Sequence, residues 1–176
     1  SDEASDCIDC GAGKYVEGTG SDEASDCDDC AAGRFVDARG SDQASDCIEC
    51  GAGTFVEAAG SGRASDCIDC VAGKYVSAEG SSAASDCIAC AAGKYVTTNG
   101  STVASACIDC AAGRYGVVTG GSSPTDACIE CVAGKYTSSD GRTYCDGCQA
   151  GSITDTGAQS GASSCTACAA GEYSSA

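Results

Sequence analysis

The chain has 176 residues but no Trp, Met or His, and only two Phe beside seven Tyr, so a large apolar core and the commonest general base are both excluded. A net charge of −17 argues against nucleic acid or an anionic membrane surface as a partner. Eighteen cysteines place it instead among disulfide scaffolds, whose mark is roughly 8–10% Cys in a short chain.

From its first residues the chain reads as a tandem array. The segment SDEASDC opens it and returns at positions 21–27. Units beginning at Ser1, Ser21, Ser41, Ser61, Ser81 and Ser101 follow the pattern S-x-x-A-S-D-C-I-D-C-x-A-G-K-Y-V-x-x-x-G closely. Residues 1–120 thus form six near-identical 20-residue repeats, and 121–176 about three divergent ones. The only proline, Pro124, lies in a one-residue insertion. Fixed self-similarity of this kind predicts an elongated linear array in which each unit contacts its neighbours. Both ends fall inside the repeat pattern, so the sequence is expected to be a segment of a longer repetitive protein.

Within a unit, each position has a physical task. Gly13, Gly33, Gly53, Gly73, Gly93, Gly113, Gly134, Gly151 and Gly171 sit three residues after a second cysteine, a recurrence that predicts positive φ or close backbone approach. Two residues on comes an aromatic: Tyr15, Phe35, Phe55, Tyr75, Tyr95, Tyr115, Tyr136 and Tyr173, with Ile153 in the odd unit. This slot is read as the small core of its unit, with the ring stacked on a disulfide or a neighbouring ring, against a sharper reading as a stacked binding platform. The run K/R-Y/F-V predicts a short strand, and a second glycine, as at Gly20, Gly40 and Gly60, predicts a turn. No helical apolar period is present, so one tiny hairpin or loop per repeat is expected in a mostly irregular, disulfide-rich fold.

Every cysteine belongs to a C-x-x-C pair: 7/10, 27/30, 47/50, 67/70, 87/90, 107/110, 128/131, 145/148 and 165/168. Three chemistries compete for such pairs. Two pairs at this separation fit the spacing of a four-thiolate zinc site. Nine pairs do not divide into two-pair sites, however, and no 40-residue alternation is visible. Thioredoxin-type redox work lacks a strand–helix context, and flanking carboxylates raise rather than lower a thiol pKa. Structural disulfides of an oxidising compartment are the leading reading, with zinc as its competitor. Translational symmetry then selects pairings, because each unit should be bonded like the next. The simplest invariant scheme is Cys10–Cys27, Cys30–Cys47, Cys50–Cys67, Cys70–Cys87, Cys90–Cys107, Cys110–Cys128, Cys131–Cys145 and Cys148–Cys165. Cys7 and Cys168 are left to pair outside the fragment.

The motif built on Cys10, Gly13, Tyr15 and Cys27 resembles the single-disulfide module of tumour-necrosis-factor-receptor-type domains. It is more similar still to the tandem C-x-x-C-x-x-G-x-Y/F repeats of ephrin-receptor-like and growth-factor-receptor-like regions. The resemblance covers nearly the whole chain, and it implies the same second-to-next-first pairing. The units depart from it in their near-identity and in lacking a proline after the second cysteine. Similar regular arrays occur in surface proteins of algae and other protists, flagellar-hair proteins among them.

Acidic residues flank the cysteines at Asp6, Asp9, Asp26, Asp29, Asp46, Glu49, Asp66 and Asp69. Calcium binding is a competing reading of them, but no fixed oxygen-ligand spacing is present, and Ala89 and Ala106 interrupt the series. The favoured reading is a solvated acidic face that keeps copies apart. Paired carboxylates could also serve glycoside hydrolysis, but no cleft-forming core accompanies them. Hydroxyl clusters at Ser81-Ser82, Thr97-Thr98, Ser122-Ser123 and Ser138-Ser139 suit O-glycosylation, and Asn99-Gly100-Ser101 is the one N-glycosylation sequon.

The expectation is a non-enzymatic structural array, a rod or filament segment outside the cell or on its surface. Its partners would be copies of itself or other proteins of that assembly, and glycans. No catalytic residue, cofactor or metal is expected, and no membrane contact from this segment. The alternative is a receptor-like ectodomain binding a protein ligand, for which the divergent stretch 121–168 is the candidate region.

Overall fold

The computed structural model describes residues 7–174. Secondary structure is minimal because each unit is punctuated by glycine every few residues. Among the described residues there are eight separate two-stranded antiparallel ladders and, for helix, a single four-residue turn besides short 3-10 turns. The small disulfide-rich fold of repeated units expected from the sequence is present.

The strands are not where a hairpin inside one repeat would put them. Lys14–Tyr15 pairs with Asp28–Asp29, the two residues enclosed by the next C-x-x-C, and Arg34–Phe35 pairs likewise with Ile48–Glu49. Each ladder therefore joins the aromatic of one repeat to the cysteine pair of the following one. Two-residue strands carry no alternation, so the pattern could not reveal this. Opposite the ladder, the serine that opens the repeat after next adds one more bridge: Tyr15 faces Ser41 and Phe35 faces Ser61 in parallel sense.

The chain divides into two packed units. The first comprises Ser1–Cys70, Val76–Ile88 and Gly100–Thr102. Its cores are small: Cys30, Val36 and Cys47 with Tyr15 against them, and Cys70, Val76 and Cys87 with Phe55. The second comprises Val71–Tyr75, Ala89–Asn99 and Val103–Ala176. There Cys90, Val96 and Cys107 are covered by Tyr75, and Cys110, Ala127 and Cys128 by Tyr95.

The aromatic slot stacks its ring on a disulfide, as the sequence suggests, but it is not the centre of its own unit. The ring is half-buried, and it packs on the disulfide of the next repeat rather than forming the centre of its own. The fully buried apolar residue is the valine after it: Val36, Val56, Val76 and Val96 are at most 4% exposed. In the divergent repeats this slot holds Thr137 and Thr154, also buried. Their hydroxyls are not left unpaired, which would be costly. Thr137 Oγ1 accepts from the Gly113 N–H at 2.8 Å, and Thr154 Oγ1 donates to the Gly157 carbonyl.

Glycine is required at two points of the unit. At Gly13 φ is +87°, and a Cβ there would lie 2.1 Å from the Gly60 carbonyl oxygen. Gly33 meets Gly80 and Gly53 meets Gly100 in the same way. These contacts link a disulfide loop to the second loop along, not only to its neighbour, so coupling in the array reaches further than the nearest-neighbour expectation. The second glycine, with φ from +67° to +72° at Gly40, Gly60, Gly80 and Gly100, donates its N–H back to a cysteine carbonyl of the previous pair, as Gly40 does to Cys10 at 3.0 Å.

Candidate functional site

The chemistry of the chain is concentrated in its cysteines. Eight disulfides join Cys10–Cys27, Cys30–Cys47, Cys50–Cys67, Cys70–Cys87, Cys90–Cys107, Cys110–Cys128, Cys131–Cys145 and Cys148–Cys165. Their Cα–Cα separations lie between 5.5 and 5.8 Å, in the usual range for a disulfide. Six close 17-residue separations; the sixth and seventh bridges differ, at 18 for Cys110–Cys128 and 14 for Cys131–Cys145. The 18 comes from the inserted residue. Pro124 occupies the first position of the Pro124–Ala127 helical turn, where its missing N–H costs nothing, and a longer turn absorbs the insertion. Cys7, exposed, and Cys168, half-buried, have no partner.

The loops are oriented by aspartates whose task was not legible. Where an Asp precedes the first cysteine among the described residues, it turns back to accept two backbone N–H bonds from the start of its own A-S-D turn. Asp26 takes those of Asp22 and Glu23, Asp46 those of Asp42 and Gln43, and Asp66 those of Gly62 and Arg63, all between 3.0 and 3.3 Å. They are caps rather than a featureless acidic face. Asp6 lies outside the described residues. The Asp or Glu before each second cysteine has another role. At four ladders it pairs across with the basic residue before the aromatic, Lys14–Asp29 at 2.7 Å, Arg34–Glu49 and Lys94–Asp109 at 2.6 Å, Arg114–Glu130 at 2.8 Å, whereas Asp69 faces Thr54. The signal for it was present, since K/R and D/E recur at a fixed offset of 15 or 16 residues.

Hydroxyl donors hold several carboxyls below the usual range. Ser122 and Ser123 do so at Asp126, Ser160 and then Arg114 at Glu130, and Ser163 at Asp155. Among the described residues no group of acidic, Cys or His side chains is arranged to hold a metal ion. No described helix is long and apolar enough to cross a membrane.

The glycosylation candidates separate by exposure. Asn99 is exposed, and its Oδ1 accepts from the Ala72 N–H at 2.9 Å. Thr97, Thr98, Ser138 and Ser139 are exposed. Ser81 is buried and donates to the Ala78 carbonyl, and the Ser122 and Ser123 hydroxyls are bound to Asp126, so these three are poor acceptors for a sugar.

What this arrangement can do is hold itself together covalently, one repeat to the next, with every interior cysteine pair occupied. A scan against protein-family models and a search of curated proteins found no match for the chain.

Proposed function

We propose that the chain is a non-enzymatic structural array, a segment of a fibre or similar assembly outside the cell or on its surface. The observation that carries this is the uniformity of the ladder. Through the near-identical repeats the same bridge and the same glycine contact recur from unit to unit, so none of those units is set apart by its chemistry. Disulfides in this number are characteristic of an oxidising compartment. The cores are too small to enclose a substrate, and a repeated solvent-facing surface with capped and paired acids suits an element whose task is repeated along its length.

The experiment is immunogold labelling of intact source cells with an antibody to the repeat. Regular label along an extracellular or surface fibre is expected. Label confined to the cell interior would overturn the reading, and diffuse label over the plasma membrane would favour the receptor-like ectodomain.

A further inference from the structure

One interior repeat departs from the others in a way that opens a pocket. Three residues separate Gly141 from Cys145, where six separate Gly40 from Cys47. The A-S-D turn is lost with them, and no helical turn lies between Lys135–Tyr136 and Asp146–Gly147. The residue before the first cysteine is now Tyr144, the one aromatic outside the recurring slot. In the two preceding repeats an alanine closes this place. Ala106 packs on Cys90, Val96 and Cys107 beside Tyr75, and Ala127 is buried with Cys110 and Cys128 beside Tyr95. Tyr144 instead stands 54% exposed. With Tyr115, Val132, Lys135 and Cys145 it lines a pocket of about 210 Å³.

The walls carry two kinds of chemistry. The two tyrosines and Val132 supply apolar surface, and Val132 is 61% exposed, so the pocket is open to solvent on one side. The Tyr144 ring is held from outside the pocket. The Arg142 guanidinium lies 4.5 Å from its centroid and is itself paired with Asp146 at 3.2 Å. Lys135 supplies the charge. At four ladders the equivalent Lys or Arg is paired with an acid, but Lys135 faces Gly147. Its ammonium has no ion-pair partner among the described residues. In a chain of net charge −17, a cation without a carboxylate, set in one pocket with two rings, is the exception.

We propose that this pocket binds the terminal uronate of a glycan, a pyranose that carries a carboxylate. A pyranose has a face of C–H groups that lies on an aromatic ring, and a rim of hydroxyls that tyrosine hydroxyls and water satisfy. Its carboxylate accepts a charge-assisted hydrogen bond from Lys135. A drug-sized site has roughly 300–1,000 Å³, so this smaller one suits a single sugar ring, with the rest of the glycan on the open side. A bare anion would engage Lys135 alone, and an aliphatic side chain only the rings and Val132. The site goes beyond the array reading and stands independently of it.

NMR titration of the full chain tests this, with methyl glucuronide as the probe and methyl glucoside, acetate and N-acetylglutamate as comparisons. Methyl glucuronide should shift the Tyr115 and Tyr144 ring signals and bind about ten-fold more tightly than methyl glucoside, the worth of one charged hydrogen bond. Tyr144→Ala should weaken methyl glucuronide about ten-fold. It installs the residue that Ala106 and Ala127 supply in their repeats, so the fold is kept. Lys135→Gln should leave methyl glucoside binding unchanged and cut the preference for the acid to about two-fold or less. Equal binding of acid and neutral sugar, an acid preference that survives Lys135→Gln, or indifference to Tyr144→Ala would overturn the proposal. N-acetylglutamate binding as tightly as methyl glucuronide would overturn it in favour of an acidic peptide, and acetate doing so in favour of a bare anion. None of these outcomes bears on where the protein resides, which the labelling experiment decides.

Discussion

At the scale of single residues, the recurring glycine has two separable costs of substitution. Gly73 has φ of +88°, and a Cβ there would stand 2.1 Å from the Gly120 carbonyl oxygen. Gly134 has φ of +79° with open space where the Cβ would go. Gly134→Ala should therefore cost only the left-handed backbone term, about 1–2 kcal/mol. Gly73→Ala adds the collision with backbone that cannot turn aside, for about 3 kcal/mol in all. Denaturant titration with the disulfides intact measures the difference, and equal losses would remove the close approach from the account. The aspartate caps make a pH prediction. Serine hydroxyls hold the folded pKa of Asp126 below its unfolded value of about 3.9. Its contribution is complete above that unfolded value and is lost as pH falls through the folded one. Asp126→Asn should destabilise the Pro124–Ala127 turn at pH 7, and the gap to the parent should narrow as pH drops below about 4. Positive φ at the first glycine was legible because one residue type recurs at one place. The caps were not, because an Asp beside a cysteine reads alike whether it faces solvent or turns back on its own backbone.

At the scale of the element, the unit of packing straddles two repeats. Phe55 lies against Cys70, Val76 and Cys87, so Phe55→Ala removes the cover from the following disulfide loop. A local loss of about 2 kcal/mol is expected for a half-buried ring. Hydrogen exchange should rise first at the Val76 and Gly80 amides, which are bonded to Ser101 and Cys50, rather than at Gly40. Faster exchange confined to the Cys50–Cys67 loop would return the ring to its own unit. Val76→Ala should act on the same loop with comparable size, since the valine is the more deeply buried of the two. The cross-ladder ion pairs are of another order. Lys94 and Asp109 are each about 40% exposed, so Lys94→Ala should change stability by no more than about 1 kcal/mol. That the aromatic and valine slots were apolar positions of a small core could be read from the repeat. Which disulfide each one covers could not, because the register lies in two-residue ladders that leave no periodic trace.

At the scale of the whole molecule, the covalent ladder dominates. Each 17-residue closure contributes about 3 kcal/mol by restricting the unfolded chain, while each apolar cluster holds only a few residues. Symmetry made the pairing legible from cysteine spacing alone. It said nothing of the contacts between second neighbours, such as Gly13 against Gly60, 47 residues apart. Trypsin tests the ladder most directly. The nine basic residues all lie outside the C-x-x-C pairs, so complete digestion leaves every pair intact, one to a piece except for 145/148 and 165/168, which share the segment after Arg142. With thiols alkylated and the digest run in denaturant without reductant, the bridges seen here would keep all cysteine-bearing pieces joined in one covalent species. Only the segments 35–39 and 136–142 should be released. Bridges closed within C-x-x-C pairs, or reduced cysteines holding zinc, would instead free every tryptic peptide before any reductant is added.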